Sequence, residues 1–68
     1  MYNNIAEIRK SKGLTQKALA LKLGSSQQFI SDIENMKVIP SLKMAFKIKD
    51  ILGVDLEEIF YICETTEV

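Results

Sequence analysis

One cysteine, Cys63, and no histidine leave this chain little but side-chain packing with which to hold a fold. A lone thiol cannot close an intrachain disulfide. Without histidine, a structural zinc site lacks its usual ligand set. The chain has 68 residues, enough for one domain, and a domain of that size buries only about 60 % of the surface its unfolded state exposes. Helix packing, self-association or both must supply the stability. Hydrophobic residues make up 47 % of the chain, which is enough for a small core.

The same composition removes most chemistry. Neither a Ser-His nor a Cys-His nucleophile pair can be assembled, and no histidine can act as general base. Gly13, Gly24 and Gly53 are too far apart for a phosphate-cradling loop. The expectation is a non-enzyme that needs no cofactor and no metal. The apolar runs are too short to span a membrane, and Met1-Tyr2-Asn3-Asn4 lacks the basic start of a secretion signal. A soluble cytoplasmic protein is expected.

Charge is zero in sum but divided along the chain. Residues 1–49 carry all nine basic residues and three acidic ones, a net +6; residues 50–68 carry six acidic residues and no basic one, a net −6. Two readings stay open: a basic face for an anionic partner, or a dipolar surface that only aids solubility.

Punctuation and periodicity predict five short helices. Asn4-Ile5-Ala6-Glu7 has the form of a capping box and opens a first helix that ends at Gly13. Thr15 caps a second, with Leu19, Ala20 and Leu23 facing inward, ended by Gly24. Ser25-Ser26 opens a third, with Ile30 and Ile33 inward and an end near Asn35. Ser41 caps a fourth, whose stripe is Leu42, Ala45, Ile48, Ile51 and Leu52. Asp55-Leu56-Glu57-Glu58 is a second capping-box pattern and opens a fifth helix to about Phe60. The tail, 61–68, is β-prone: a short edge strand or a frayed end.

The second and third helices carry the informative spacing. Ala20 is small enough for the third helix to cross the second closely. Gly24 permits a tight turn at positive φ. Ile30 and Ile33 pin the underside of the third helix and leave its upper face free. This is the arrangement of a helix-turn-helix, over about residues 16–35, whose second helix enters the DNA major groove.

The chain resembles the Cro/CI phage-repressor helix-turn-helix family, also called XRE-type regulators. The resemblance runs from about Ile5 to Phe60. Its carriers are Ile8-Arg9-Lys10-Ser11-Lys12-Gly13-Leu14-Thr15-Gln16, Leu19-Ala20, Leu23-Gly24, Ile30-Ser31-Asp32-Ile33-Glu34-Asn35 and Pro40-Ser41-Leu42. It implies an all-α, five-helix lambda-repressor-like domain that binds double-stranded DNA, usually as a dimer in transcriptional control. Arg9 and Glu34 are implied to pair and tie the first helix to the third. Ser25, Met36, Ala45 and Lys49 depart from the family pattern, putting the loop and the packing of the fourth helix in question.

Candidate DNA contacts follow. Gln16 meets a phosphate or braces the third helix. Ser26, Gln27, Gln28, Phe29, Ser31 and Asp32 lie on or beside the free face. A glutamine amide suits adenine N6 and N7, and Phe29 suits a thymine methyl group or a neighbouring side chain. Gln28 has a rival job, closing a capping box with Ser25. Asp32 accepts from a cytosine amine or repels phosphate. Asn35 and Lys37, with Lys17 and Lys43, are the candidate phosphate contacts. Ile59, Phe60, Tyr61 and Ile62 form the candidate homodimer patch. The expectation is a sequence-specific regulator, most simply a repressor on a palindromic operator. An antitoxin or a restriction–modification controller would use the same fold. A protein-interaction module that does not read DNA is the alternative from another class.

Overall fold

The computed structural model describes residues 2–61. Along the chain run β1 (Tyr2–Asn3), α1 (Ile5–Ser11), α2 (Gln16–Leu23), α3 (Gln27–Glu34), α4 (Leu42–Leu52), α5 (Leu56–Ile59) and β2 (Phe60–Tyr61). The five expected helices are present. Three start as their sequence dictates. The hydroxyls of Thr15, Ser26 and Ser41 accept from the backbone N–H groups of Ala18, Phe29 and Met44. Each bond satisfies one of the donors that a helix start leaves orphaned. Gly24 and Gly53 end α2 and α4 in the left-handed conformation, at φ 72° and ψ 30°.

Helix-period apolar residues meet in one core of Ile5, Leu19, Ala20, Leu23, Ile30, Ile33, Ile48, Leu52 and Ile59. Ile48 and Ile59 are fully excluded from solvent, and burial of such a side chain contributes about 1.5–3 kcal/mol. Ala45, smaller than the family norm, is also buried, and Met44 packs against the core beside it while Phe46 stays exposed. Leu42 departs from its expected place in the α4 stripe: it is 69 % exposed. It occupies the first turn of α4, beyond the edge of the surface that α4 buries.

Both capping-box expectations fail at the side chain. Asn4 and Asp55 precede their helices but make no side-chain cap. Asn3 does the work instead: its Oδ1 accepts from Ile5 N at 3.2 Å, and its Nδ2 donates to Ile33 O at 2.9 Å. Asn4 is drawn away by distant partners, donating through its backbone to Ile59 O at 2.8 Å and through Nδ2 to Glu58 O at 3.2 Å. A long-range bond has displaced the local one.

These bonds hold a two-stranded antiparallel sheet in which Tyr2 faces Tyr61 and Asn3 faces Phe60. The rings of Tyr2 and Tyr61 stack with centroids 5.8 Å apart. The sheet fastens the start of the chain to the end of α5. A short strand is found at Phe60–Tyr61, so α5 stops one residue before the expected Phe60, and Tyr2–Asn3 is the strand's unforeseen partner; the rest of the tail, 62–68, lies outside the described residues.

The α3–α4 loop turns at Met36, which adopts φ 62°. Asn35, where the sequence places the end of the third helix, stays at φ −91°. The loop thus keeps the left-handed turn that glycine would favour, but with a side chain that strains it by about 1–2 kcal/mol. Met36→Gly should relieve that strain and lose part of the gain to unfolded-chain entropy. The expected result is a melting temperature higher by about 3 °C in a thermal scan followed by circular dichroism.

Candidate nucleic-acid interface

α3 has two faces of opposite character. Ile30 and Ile33 are buried beneath it, and Phe29 is half-buried against the same core. Gln28 lies three and four residues before Ser31 and Asp32, and Asn35 lies four and three after them, so the four share one stripe on the outward side. Two hydrogen bonds run along that stripe. Gln28 Nε2 donates to Asp32 Oδ1 at 2.9 Å, and Asn35 Nδ2 donates to Ser31 Oγ at 3.4 Å. Gln28 therefore does not close a capping box with Ser25. Ser26 is the cap, and Ser25 Oγ is buried with no hydrogen-bond partner among the described residues. An unpaired hydroxyl costs about 1–3 kcal/mol. Ser25→Ala should raise stability by about 1 kcal/mol in urea titration.

The start and end of α3 are braced from behind. Arg9 Nε donates to Glu34 Oε2 at 2.7 Å, and a second guanidinium nitrogen reaches Oε1 at 3.3 Å. The two side chains are 8 % and 7 % exposed. Such a fork is a short, directional, charge-assisted pair. Arg9 also donates to Leu14 O at 2.9 Å, so one guanidinium fastens α1, the α1–α2 turn and the end of α3. Gln16 Nε2 donates to Glu34 Oε1 at 2.9 Å, and Gln16 Oε1 accepts from Gln27 Nε2 at 3.4 Å. The brace is a chain of four side chains, Arg9–Glu34–Gln16–Gln27, running from α1 to the first turn of α3. Sequence reasoning assigned Arg9 and Glu34 to it. It left Gln16 open between phosphate and brace, and it did not link Gln27 to Gln16.

The two glutamines that sequence alone could not separate now differ. Gln27 leans back onto α2, whereas Gln28 lies on the outward stripe. The signal for the Gln28–Asp32 pair was present in their spacing of four.

The three candidate lysines are all on the surface. Lys17 lies in the first turn of α2, Lys37 in the loop after α3 and Lys43 in the first turn of α4; all are exposed. Among the described residues the only ion pairs are Arg9–Glu34 and a loose Lys49–Asp50 contact at 3.9 Å. Ser26 is exposed at the start of α3, its hydroxyl engaged as the cap.

The expected dimer patch is redistributed. Ile59 lies wholly inside its own core, so it is not available to a partner. Its position at the end of α5 turns it inward; an unbroken apolar run could not reveal that. Tyr61 is exposed and stacked on Tyr2. Ile62 lies outside the described residues. Phe60 is half-buried and lines an apolar groove of about 400 Å³ with Pro40, Leu42, Ala45, Leu56 and Glu57. Ile39 and Phe46, also exposed, lie close in sequence to its lining.

Among the described residues no cluster of three or more His, Cys, Asp or Glu side chains is placed to hold a metal ion. Among the described residues no helix is long and apolar enough to cross a membrane.

A buried Arg–Glu brace, a glycine turn and a second helix with a free polar face are the parts of a helix-turn-helix. The family model of that description matches residues 5–59. The chain belongs to the XRE-type helix-turn-helix family. It is 50 % identical over 60 residues to an uncharacterized HTH-type transcriptional regulator of Methanocaldococcus jannaschii, covering 88 % of this chain and 91 % of that one. It is 40 % identical over 52 residues to the ImmF control region 10 kDa protein of Bacillus phage phi105, covering 76 % and 58 %. Among solved structures, a proposed DNA-binding protein of Bacteroides fragilis superposes with a TM-score of 0.79 at 33 % identity, covering 85 % of this chain and 94 % of the other. The five-helix fold is shared with that solved structure over most of the chain.

Proposed function

We propose that this helix-turn-helix protein is a sequence-specific DNA-binding transcriptional regulator, acting as a homodimeric repressor on a palindromic operator. The observation that carries the reading is the outward stripe of α3. Gln28, Ser31, Asp32 and Asn35 are polar, lie together and bond through their side chains only to one another within the described chain, while α3 is braced at Gln27 and at Glu34. A helix held rigidly with a polar face outward suits the major groove, where base edges offer donors and acceptors. The relatives named as transcriptional regulators support the same class.

In this reading Gln28 and Ser31 address base edges, Asp32 stands beside Gln28, Gln27 sets the start of α3 against Gln16, and the exposed part of Phe29 addresses a thymine methyl. Gln16, Lys17, Ser26, Asn35, Lys37 and Lys43 hold the backbone. Gln16 serves twice, since its position at the start of α2 also places it where an anion is favoured. The dimer forms through the apolar groove at Phe60, Leu42 and Leu56, with Tyr61 and Ile62 kept from the expected patch and the buried Ile59 left out. A two-fold dimer sets its two recognition helices about 34 Å apart, one turn of DNA.

Selection of bound duplexes from a random pool, followed by sequencing, tests this. An enriched inverted repeat with half-sites about one turn apart is expected. The groove and the zero net charge favour a second reading, a protein-interaction module. It gains if the folded protein enriches no sequence and Lys17→Glu leaves capture of its partner unchanged.

A further inference from the structure

We infer that Asp32 is a specificity-determining residue that acts through Gln28, holding its amide in the orientation that reads adenine. The inference rests on α3 being the base-reading helix. An ionised carboxylate can only accept a hydrogen bond, so the group that Gln28 turns toward Asp32 must be its NH2. The bond is 2.9 Å long, and its two residues sit one helical turn apart. Asp32 is half-buried and makes no ion pair among the described residues, so its carboxylate is a steady anchor with no competing cation. Gln28 is exposed and would otherwise sample many rotamers.

The donor count then decides what the amide can still do. A glutamine NH2 has two hydrogens, and Asp32 takes one. One N–H and the carbonyl oxygen remain. That is the pair adenine requires, a donor for N7 and an acceptor for the N6 amine. With the amide turned over, the oxygen would face the carboxylate, which is repulsive. Asp32 therefore removes the inverted orientation and the rotamer freedom together. A negative charge facing DNA would be a pure liability if it only repelled phosphate; here it has a task.

Two variants separate the hydrogen bond from the charge. Asp32→Asn keeps an acceptor oxygen and loses the charge; Asp32→Ala loses both. Wild type and both variants, each checked for fold by circular dichroism, are taken through random-duplex selection at one salt concentration. They are then titrated against the selected duplex and its single-base substitutions. Fixing one rotamer-rich side chain is worth a factor of about two to ten in binding. The expected result is an adenine in each wild-type half-site whose discrimination falls about two- to tenfold in Asp32→Ala, at that position alone. Asp32→Asn should fall between wild type and Asp32→Ala there, because its amide can still accept from Gln28 but can also donate to the inverted orientation, and both variants should gain equally on non-specific DNA. On a Gln28→Ala background, Asp32→Ala should add nothing at that position. The inference is overturned if Asp32→Ala discriminates as well as wild type or better. It is equally overturned if Asp32→Ala changes discrimination at every position alike, which would leave charge as the whole effect. If wild type enriches no sequence, the base-reading function itself fails, and the role of Asp32 fails with it.

Discussion

Glu34→Ala should leave most of the protein unfolded at 37 °C. The carboxylate accepts from Arg9 twice and from Gln16 once. Removing it strands a guanidinium that is almost fully excluded from water. Breaking one side of such a buried pair costs about 3–5 kcal/mol. A domain of this length has roughly 3–10 kcal/mol in all, so the loss is comparable with the whole. Arg9→Ala should cost nearly as much, because it also frees Leu14 O. Arg9→Lys should cost about 1–3 kcal/mol, since an ammonium cannot make the fork. Stranding a buried charge does more damage than losing the pair's own attraction. A double replacement, Arg9→Met with Glu34→Leu, should therefore be milder than Glu34→Ala alone. Urea denaturation followed by circular dichroism measures all four. If Glu34→Ala shifts the midpoint by less than Ser25→Ala does, the brace has no structural weight.

How much of the fold and site is legible in the sequence depends on the range of the interaction. Thr15, Ser26 and Ser41 announce their helices because a cap needs only a hydroxyl and the next three residues. Ile30 and Ile33 declare the inner face of α3 by spacing alone. Arg9 and Glu34 are 25 residues apart, and only the family resemblance joined them. The strand pair of Tyr2 with Tyr61 could not be read at all, because a two-residue strand has no periodicity. That same pair decided the fate of Asn4. Its side chain matched a capping box, but partners at Glu58 and Ile59 outcompeted it. Ile59 was misplaced for a related reason: a run of apolar residues does not say which one turns inward. The candidate site was legible as a set of residues. Its division into a brace, Gln16 with Gln27, and an outward stripe, Gln28 with Asp32, needed the geometry.

DNA binding should respond steeply to salt. The chain is neutral as a whole, which would suggest weak salt dependence. Lys17, Lys37 and Lys43 are exposed, however, and none is neutralised by an ion pair among the described residues. In the proposed dimer two protomers bring about six cations to the backbone. Each neutralised phosphate releases counterions, so affinity should fall about a thousandfold between about 50 and 200 mM salt. Lys37→Ala removes two of those contacts per dimer and should reduce the logarithmic slope by about 2. It should weaken all sequences alike, because a phosphate contact positions without reading. Fluorescence anisotropy titrations at four or five salt concentrations give the slope. A flat response would show that the lysines do not meet DNA and would favour the protein-interaction reading.

Sequence reading by the outward face of α3 is tested by a competition at fixed salt between the selected duplex and a scrambled duplex of equal length and composition. The expected preference for the selected duplex is about a thousandfold or more, and Gln28→Ala should lower it by about 1–3 kcal/mol, lost at one base position. Equal affinity for the two duplexes would contradict a base-reading role for α3.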